Sequence, residues 1–510
     1  MKIAAFLAAH AAATPDREAL ICGTVRLSFR ALHERSSALA CALAARGVKV
    51  GDRVAILVSN RVEFVIALVA TLKAGAILVA LNPRLSASEV AYIVRDAGPG
   101  AVVFEEETRE AVMRARLPDG IVLVCVEGPG QLGEIAWETL LSGDTSGMPE
   151  VPPEFDDCLI SYTSGTTGKP KGAVLTQANY IFSNGYINAQ QMGLGAHDRI
   201  LTTTPLAHRT AFSRLINMLC LGSTVVVMER FDAQEATRLI ESERVTVLGI
   251  VPTVGRMLLP IIEADPGRFG TVRIAVVAGE AFPVELKERL QKALPALRLY
   301  AFFGMTELGA LTILGPEEQV TKGASVGRVN PGAEVRIVDD SGAEVVPGEA
   351  GEILVRTGAP GRFLTMRGYF NNPQATAETL VNGWLHTGDL GRFDADGYLY
   401  IVDRKKDMVI SGGYNIYSKE VEAAILEMDG VEDVAVIGVP DEIYGESVAA
   451  FVEVGKGRSP DASQVIEHCR ARIASYKKPK FVRFVESLPR NGTGKVLKFE
   501  LREAFLREGG

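Results

Sequence analysis

From residue 50 to 340 short β-branched runs alternate with longer amphipathic stretches. The runs include RVAILVS, AVVFEE, STVVVM, VTVLGIV and VRIAVVAG, and the stretches include SASEVAYIVRDAG and DAQEATRLIESE. That alternation argues for βαβ units and largely parallel sheets. After residue 325 the texture changes: AEVRIVDDSGAEVVPGEAGEILVRT is strand-patterned and punctuated by glycine and proline turns, which predicts antiparallel hairpins or a small barrel. A third texture starts near 403, where a charged DRKKD leads into MVISGGYNIYSKEVEAAILEMDGVEDVAVIGVP. A strand, a glycine turn, a helix and another strand there make an α+β unit of about a hundred residues, the size of a small domain. We place a boundary between 402 and 403 and find no repeat or low-complexity tract.

A formal net charge of −8 offers no long-range attraction to nucleic acid or anionic lipid, so a polyanionic partner has to be held locally. The six cysteines, Cys22, Cys41, Cys125, Cys158, Cys220 and Cys469, show no CxxC spacing and suggest neither a zinc cluster nor a disulfide framework. Reduced thiols of a cytoplasmic protein are the expectation. The start MKIAAFLAAHAAATPD has the look of a leader, but Ile3, Phe6, Leu7 and His10 share one helical face, and a helix is expected. The run FVIALVATLKAGAILVAL at 64 to 81 approaches spanning length, yet Lys73 and Gly75 divide it into a helix and a buried strand, so no membrane span is expected.

The stretch SYTSGTTGKPKGA, residues 161 to 173, is the most polar and glycine-rich segment of interest. Glycines let consecutive backbone N–H groups converge on one point and form an anion nest. Ser164, Thr166 and Thr167 add hydroxyl donors, Lys169 and Lys171 add positive charge, and phosphate is the natural guest. It is not a Walker A loop, because Thr163 stands where that motif needs glycine and Pro170 where it needs Ser or Thr. By local physics alone a solvated turn uses the same residue types.

YTSGTTGKPKGA resembles the phosphate-loop signature of the adenylate-forming superfamily, which includes acyl-CoA synthetases, peptide-synthetase adenylation domains and firefly luciferases. The remaining motifs of that superfamily follow in order: FFGMTE at 302 to 307, GYFNNPQAT at 368 to 376, GWLHTGDLG at 383 to 391, YIVDRKKDMVISGGYNI at 400 to 416 and PRNGTGKVLK at 489 to 498. Similarity also reaches TPDREALICG near 14 and LNPRLSASEV near 81, so it spans nearly the whole chain. The resemblance implies a large N-terminal α/β domain, 1–402, of two α/β-sheet subdomains plus a small β-barrel-like one. It also implies a small mobile α+β C-terminal domain, 403–510, with a hinge near Lys406. The implied reaction takes a carboxylate and ATP to an acyl-adenylate and pyrophosphate, then passes the acyl group to coenzyme A. No general base is required, since the acid is already an anion at pH 7; charge neutralisation and placement are.

The resemblance also assigns residues. Thr163, Ser164, Gly165, Thr166, Thr167, Gly168, Lys169 and Lys171 would hold the ATP phosphates. Glu307 with Thr306 would hold Mg²⁺ against them. Phe303, where most relatives have tyrosine, would stack the adenine, with Gly304 and Met305 beside it and Gly279, Glu280 and Ala281 lining the same site. Asp389 would accept the ribose hydroxyls, near Ile401, while Arg404 would reach ribose and phosphates. Lys495 would be the catalytic lysine, bridging carboxylate and α-phosphate in the adenylation transition state. Gly412 and Gly413 would line the pantetheine passage, and Tyr476, Lys478 and Lys480 would meet the coenzyme A nucleotide. In PLAHRTAFSRLINMLCLG, at 205 to 222, His208 would gate the acyl pocket. Arg209 beside it is unusual; it is expected to face solvent, the alternative being a second substrate carboxylate. That segment and GIVPTVGRMLLP are expected to line a mostly apolar pocket for a fatty or aryl acid.

The leading reading is an acid–CoA ligase using ATP, Mg²⁺ and coenzyme A, cytoplasmic, with a homodimer left open. Its rival is a stand-alone enzyme that loads a carrier protein; the chain ends fifteen residues after Lys495, so no fused carrier is expected. No FDxS segment lies in the acyl region, and Asp232 of FDAQ is expected to cap the following helix. A luciferase-like oxidation has no support in the residues. A non-catalytic nucleotide sensor should have lost Lys495 or Glu307, and both are present.

Overall fold

The β-branched runs form two large sheets. In the first, Arg53–Leu57, Ile77–Ala80, Ala101–Phe104, Val122–Cys125, Glu134–Ala136 and Asp157–Thr163 run parallel. Lys171–Thr176 and Gly368–Tyr369 close one edge antiparallel. In the second, Glu18–Cys22, Arg199–Thr202, Thr224–Val227, Val247–Ile250, Ile274–Val277 and Arg298–Met305 are parallel, and Val25–Ser28, Gly309–Leu314 and Arg328–Val329 are antiparallel at the edges. The computed structural model describes residues 2–507 apart from 118, 129, 132, 142, 144, 146, 164–169, 278–281, 456–459 and 491–495.

The central strands are apolar on both faces because helices cover both. Val247, Ile274 and Val276 pack in one core with Phe212, Leu215, Ile216 and Leu219 of the helix Arg209–Leu221. Leu248, Ile250, Ala275 and Val277 face a second core with Val254, Leu258, Leu259 and Ile262 of the helix Pro252–Ala264. The two apolar segments expected to line one pocket therefore lie on opposite sides of the sheet, and the leucines of GIVPTVGRMLLP are core.

Other expectations hold. Ile3–Ala13 is a helix with Ile3 and Leu7 in the main core. Val62–Lys73 is a helix, and Gly75, with φ +67°, turns the chain into Ile77–Ala80. Asp232 caps Ala233–Ser242, its Oδ1 accepting from the Glu235 N–H at 2.8 Å. None of the six cysteines is in a disulfide, and all are buried. Among the described residues no helix is long and apolar enough to cross a membrane.

Packing divides the chain into two compact units, Met1–Glu334 with Val355–Leu385, and Val335–Leu354 with His386–Gly510. The first contains both large sheets. In the second, Leu399–Arg404 pairs antiparallel with the end of Trp384–Phe393, and a further sheet contains Val409–Ser411, Tyr414–Ile416, Val431–Asp441, Gly445–Val454 and Phe481–Val485. The helices Ser418–Leu426 and Ala462–Arg472 bury Val421, Ile425, Val465 and Cys469 in one core of this sheet, and Lys498–Arg507 buries Leu501 and Phe505 in another. Division by packing does not test the boundary expected at 403, which concerns a hinge.

Candidate active site

In the first unit the phosphate-loop segment lies between two antiparallel strands, Asp157–Thr163 and Lys171–Thr176, with Thr163 opposite Lys171. Ser164, Gly165, Thr166, Thr167, Gly168 and Lys169 lie outside the described residues, as do Gly279, Glu280, Ala281 and Lys495. The next strand in this sheet is Gly368–Tyr369, with Tyr369 opposite Ala173. The Lys171 ammonium lies 5.3 Å from the centroid of the Tyr369 ring.

A second hairpin, Arg298–Met305 with Gly309–Leu314, carries FFGMTE and shifts register between Phe303 and Gly304. Gly304 is a steric necessity at that bulge: a Cβ there would stand 1.8 Å from the Gly309 carbonyl oxygen. The chain turns over Thr306 and Glu307, and the Leu308 N–H donates to the Met305 carbonyl at 3.1 Å. Three contacts pin this tip. The Tyr369 hydroxyl donates to Glu307 Oε1 at 2.9 Å, and the Met366 N–H donates to the Glu307 carbonyl at 2.7 Å. Arg209 Nη1 donates to the Thr306 carbonyl at 2.5 Å.

Glu307 is 7% exposed. Burial, and then the Glu307 carboxylate, push the Tyr369 phenol well above its ordinary pKa, so it stays a neutral donor at any working pH. Arg209 does not face solvent. It is half-buried, its guanidinium sits 5.8 Å from the centroid of the Tyr180 ring, and it braces the turn that carries Thr306 and Glu307. His208 immediately precedes the helix Arg209–Leu221, where burial first, and Arg209 second, hold its imidazole below the usual range. A neutral His208 suits a gate more than a cation.

In the second unit Asp389 and Arg404 are cross-strand partners, and Arg404 Nε lies 3.1 Å from Asp389 Oδ1. Asp389 is buried, and its N–H donates to Thr387 Oγ1 at 3.1 Å. Ile401 is on the same hairpin, opposite Gly391. Lys406 is exposed in the turn that follows Leu399–Arg404. Gly412 and Gly413 form the two-residue turn between Val409–Ser411 and Tyr414–Ile416, with φ of +58° and +81°, so the hairpin alone requires glycine at both. Tyr476 lies against Tyr414 with ring centroids 4.7 Å apart. Lys478 Nζ donates to the Ser475 carbonyl at 3.1 Å, whereas Lys480 Nζ is engaged by Asp441 Oδ2 at 2.6 Å. That ammonium, with the Ser447 hydroxyl, holds the Asp441 carboxyl well below its usual range.

Among the described residues no cluster of three or more His, Cys, Asp and Glu side chains could hold a metal ion by itself. Two residues escaped the sequence reading. Tyr369 stands inside a quoted motif but announces no partner; Arg214 is a charged residue in the buried part of its helix, with Asn217 three positions on.

The ordered hairpins and their polar tips define an adenylate-forming enzyme. The family model described as AMP-binding enzyme matches residues 7–370, and the one described as AMP-binding enzyme C-terminal domain matches residues 420–495. The chain is 36% identical over 487 residues to a long-chain-fatty-acid–CoA ligase of Mycobacterium tuberculosis, covering 94% of this chain and 93% of the other. It is 37% identical over 516 residues to an indoleacetate–CoA ligase of Aromatoleum aromaticum, covering 100% and 99%. Its fold matches the solved structure of O-succinylbenzoate coenzyme A synthetase from Bacillus subtilis in complex with AMP, at TM-score 0.85 and 32% identity over 98% of each chain. The chain belongs to the AMP-binding enzyme family. Within it, it is a ligase of the acyl-CoA synthetase type, forming carbon–sulfur bonds.

Proposed function

We propose that the protein joins a carboxylic acid to ATP, releasing pyrophosphate, and transfers the acyl group from the adenylate to coenzyme A in the cytoplasm. The observation that supports this most directly is the pinned hairpin tip. Two separate segments, the helix Arg209–Leu221 through Arg209 and the stretch 366–369 through Met366 and Tyr369, fix the turn bearing Thr306 and Glu307, which is the preorganisation an electrostatic mechanism needs. The single buried carboxylate fits Mg²⁺, which takes one or two protein carboxylates and completes its shell with substrate phosphates and water. When bound, the ion would neutralise phosphate charge; Glu307, with Thr306, is the residue that would hold it.

The remaining roles follow the family pattern. Phe303 stacks the adenine, with Gly304, Met305 and the 279–281 segment beside it. Residues 163–169 with Lys171 hold the phosphates. Asp389, oriented by Arg404, takes the ribose, and Lys495 meets the charge that builds between carboxylate and α-phosphate. His208, kept neutral, gates the acid. Lys406 is the hinge about which the C-terminal part turns between adenylation and thioester formation. Gly412, Gly413, Tyr476, Lys478 and Lys480 belong to the coenzyme A side, where Lys480 has to exchange Asp441 for a phosphate.

The test is pyrophosphate release by the full chain over a panel of carboxylic acids, with and without coenzyme A. Acid-dependent release without coenzyme A, and acyl-CoA plus AMP with it, are expected; release indifferent to the acid would refute the assignment. A second acceptor arm with a phosphopantetheinyl carrier protein measures the rival reading, which requires transfer to the carrier in preference to free coenzyme A.

A further inference from the structure

Arg214 is five residues past Arg209 on the helix Arg209–Leu221, so about 7.5 Å along its axis from the residue that reaches the Thr306 carbonyl. It is only 5% exposed. Its Nε has no hydrogen-bond partner among the described residues, and its Nη1 reaches only Asn217 Oδ1, at a long 3.4 Å. That same oxygen is also approached by Asn188 Nδ2 at 3.4 Å. Asn217 Nδ2 in turn donates to the Asn184 carbonyl at 2.9 Å, and Asn184 Nδ2 to the Ser213 carbonyl at 3.2 Å. The guanidinium thus meets one neutral amide oxygen, itself shared with a second asparagine, and among the described residues no carboxylate forms an ion pair with it.

A buried cation without a counter-charge is strongly unfavourable, since arginine cannot discharge itself at physiological pH. Burial does pull this guanidinium down, to about 10, which still leaves it charged. A hydrophobic side chain of similar volume would make a more stable core here. Two features of the backbone lie beside Arg214. Gly249, in the strand Val247–Ile250, faces Arg214 with no side chain; a Cβ there would lie 3.7 Å from Arg214 Nε. On the facing helical segment the chain runs through a π-helical turn over Ile181–Ile187, a device that recurs at functional sites. The strand Val247–Ile250 is two removed from Arg298–Met305, which leads into the Thr306–Glu307 turn, and open α/β sheets bind ligands at the carboxyl ends of their strands.

We infer that Arg214 is the specificity-determining residue for the acid: it pairs with a second carboxylate at the end of the substrate remote from the reacting one, so the substrate class is a dicarboxylic acid. The inference rests on the ligase reading above and deepens it. The second carboxylate supplies the charge that the asparagines cannot, and Arg209, occupied by the Thr306 carbonyl, is left to position the reacting end.

The test compares straight-chain and aryl diacids of increasing length with the monoacids that lack the second carboxylate, using pyrophosphate release by the full-length enzyme. The best diacid should exceed its matched monoacid in kcat/KM by roughly a hundredfold or more, as expected when a buried charge loses its partner. Arg214→Met should lose that preference and gain on the monoacid, while its thermal midpoint stays level or rises; Arg214→Lys should keep part of the preference. ω-Hydroxy acids form a third arm, and their equal use with the diacids would overturn the anionic assignment. Monoacids preferred by the unaltered enzyme, or an unchanged acid preference in a folded Arg214→Met, would also overturn it. If the methionine variant does not fold, thermal protection of the unaltered protein decides: the best diacid alone should raise the midpoint, and its monoacid counterpart should not. Pyrophosphate release with no acid of either kind removes the ligase reading and this inference together.

Discussion

The carboxylate of Glu307 is oriented by a neutral phenol, not by a cation, and that leaves its charge uncompensated by this partner for the proposed Mg²⁺. Tyr369→Phe removes the donor and nothing else, so about 1–2 kcal/mol of orientation is lost. We expect a roughly tenfold fall in the adenylation rate and a higher Mg²⁺ requirement, with the thermal midpoint nearly unchanged; an Mg²⁺ titration that superimposes on the parent would show the hydrogen bond to be incidental. Arg209 was legible as unusual but not as a brace, because its acceptor is a backbone carbonyl in a motif far along the chain, and side-chain types say nothing of carbonyls. Lys73 carries a different consequence. It is 8% exposed, with Nζ donating to the His33 carbonyl at 2.6 Å and Ser37 Oγ at 2.7 Å, and burial lowers its pKa from 10.5 to about 7. Between those two values the unfolded chain binds a proton that the folded chain has released, so this residue makes stability rise with pH across the window from about 7 to 10.5. Lys73→Met should flatten that rise in urea melts taken at several pH values within it; parallel curves for parent and variant would show that the ammonium stays charged in the fold.

Elements were the most legible level, since the spacing of apolar residues dictates whether a segment can cover a sheet or must join it. The two parallel sheets, the helix Ile3–Ala13, the break at Gly75 and the Asp232 cap all follow from local rules that tertiary packing did not override. The helix Pro252–Ala264 shows where such rules stop: periodicity reveals an apolar face but not which side of the sheet it covers, and its leucines belong to the core, not to a pocket lining. Arg214 and Asn217 break the apolar run of a buried helix, a signal in the sequence for the acid site proposed above. The FFGMTE hairpin has its shape from glycine. Gly304→Ala would force a Cβ against the Gly309 carbonyl, and the bulge would have to open, moving Thr306 and Glu307 together. Loss of about 1–3 kcal/mol of stability is expected, together with a fall in adenylation much larger than that in stability would explain, measured as pyrophosphate release under conditions where the variant remains folded. Near-normal release would mean that the turn tolerates displacement.

At the scale of the whole molecule the sequence motifs distribute the chemistry over both compact units, and the reaction order explains why. With the proposed roles, adenylation would need the cation of Lys495 at the developing charge and thioester formation would need that space for a thiol, so one arrangement would not serve both steps. Lys495→Ala should therefore collapse adenylation by several orders of magnitude while transfer from supplied acyl-adenylate to coenzyme A survives far better; equal loss in both half-reactions would refute the alternation. The proposed hinge makes the complementary case. Lys406 is exposed in a turn, yet the residues either side of it are tied: buried Asp403 accepts from the Ser418 amide and, at 3.0 Å, from the Ser418 hydroxyl at the start of Ser418–Leu426. In the proposed rotation the Asp403–Ser418 contact, which spans residue 406, would have to give way and the backbone at 406 would change its angles, which proline there would obstruct by fixing φ. Lys406→Pro should leave acid-dependent pyrophosphate release close to the parent and slow acyl-CoA formation by at least tenfold, with acyl-adenylate accumulating on the enzyme. Because adenylation in the same sample reports that the chain is folded, normal coenzyme A turnover in this variant would place the pivot elsewhere.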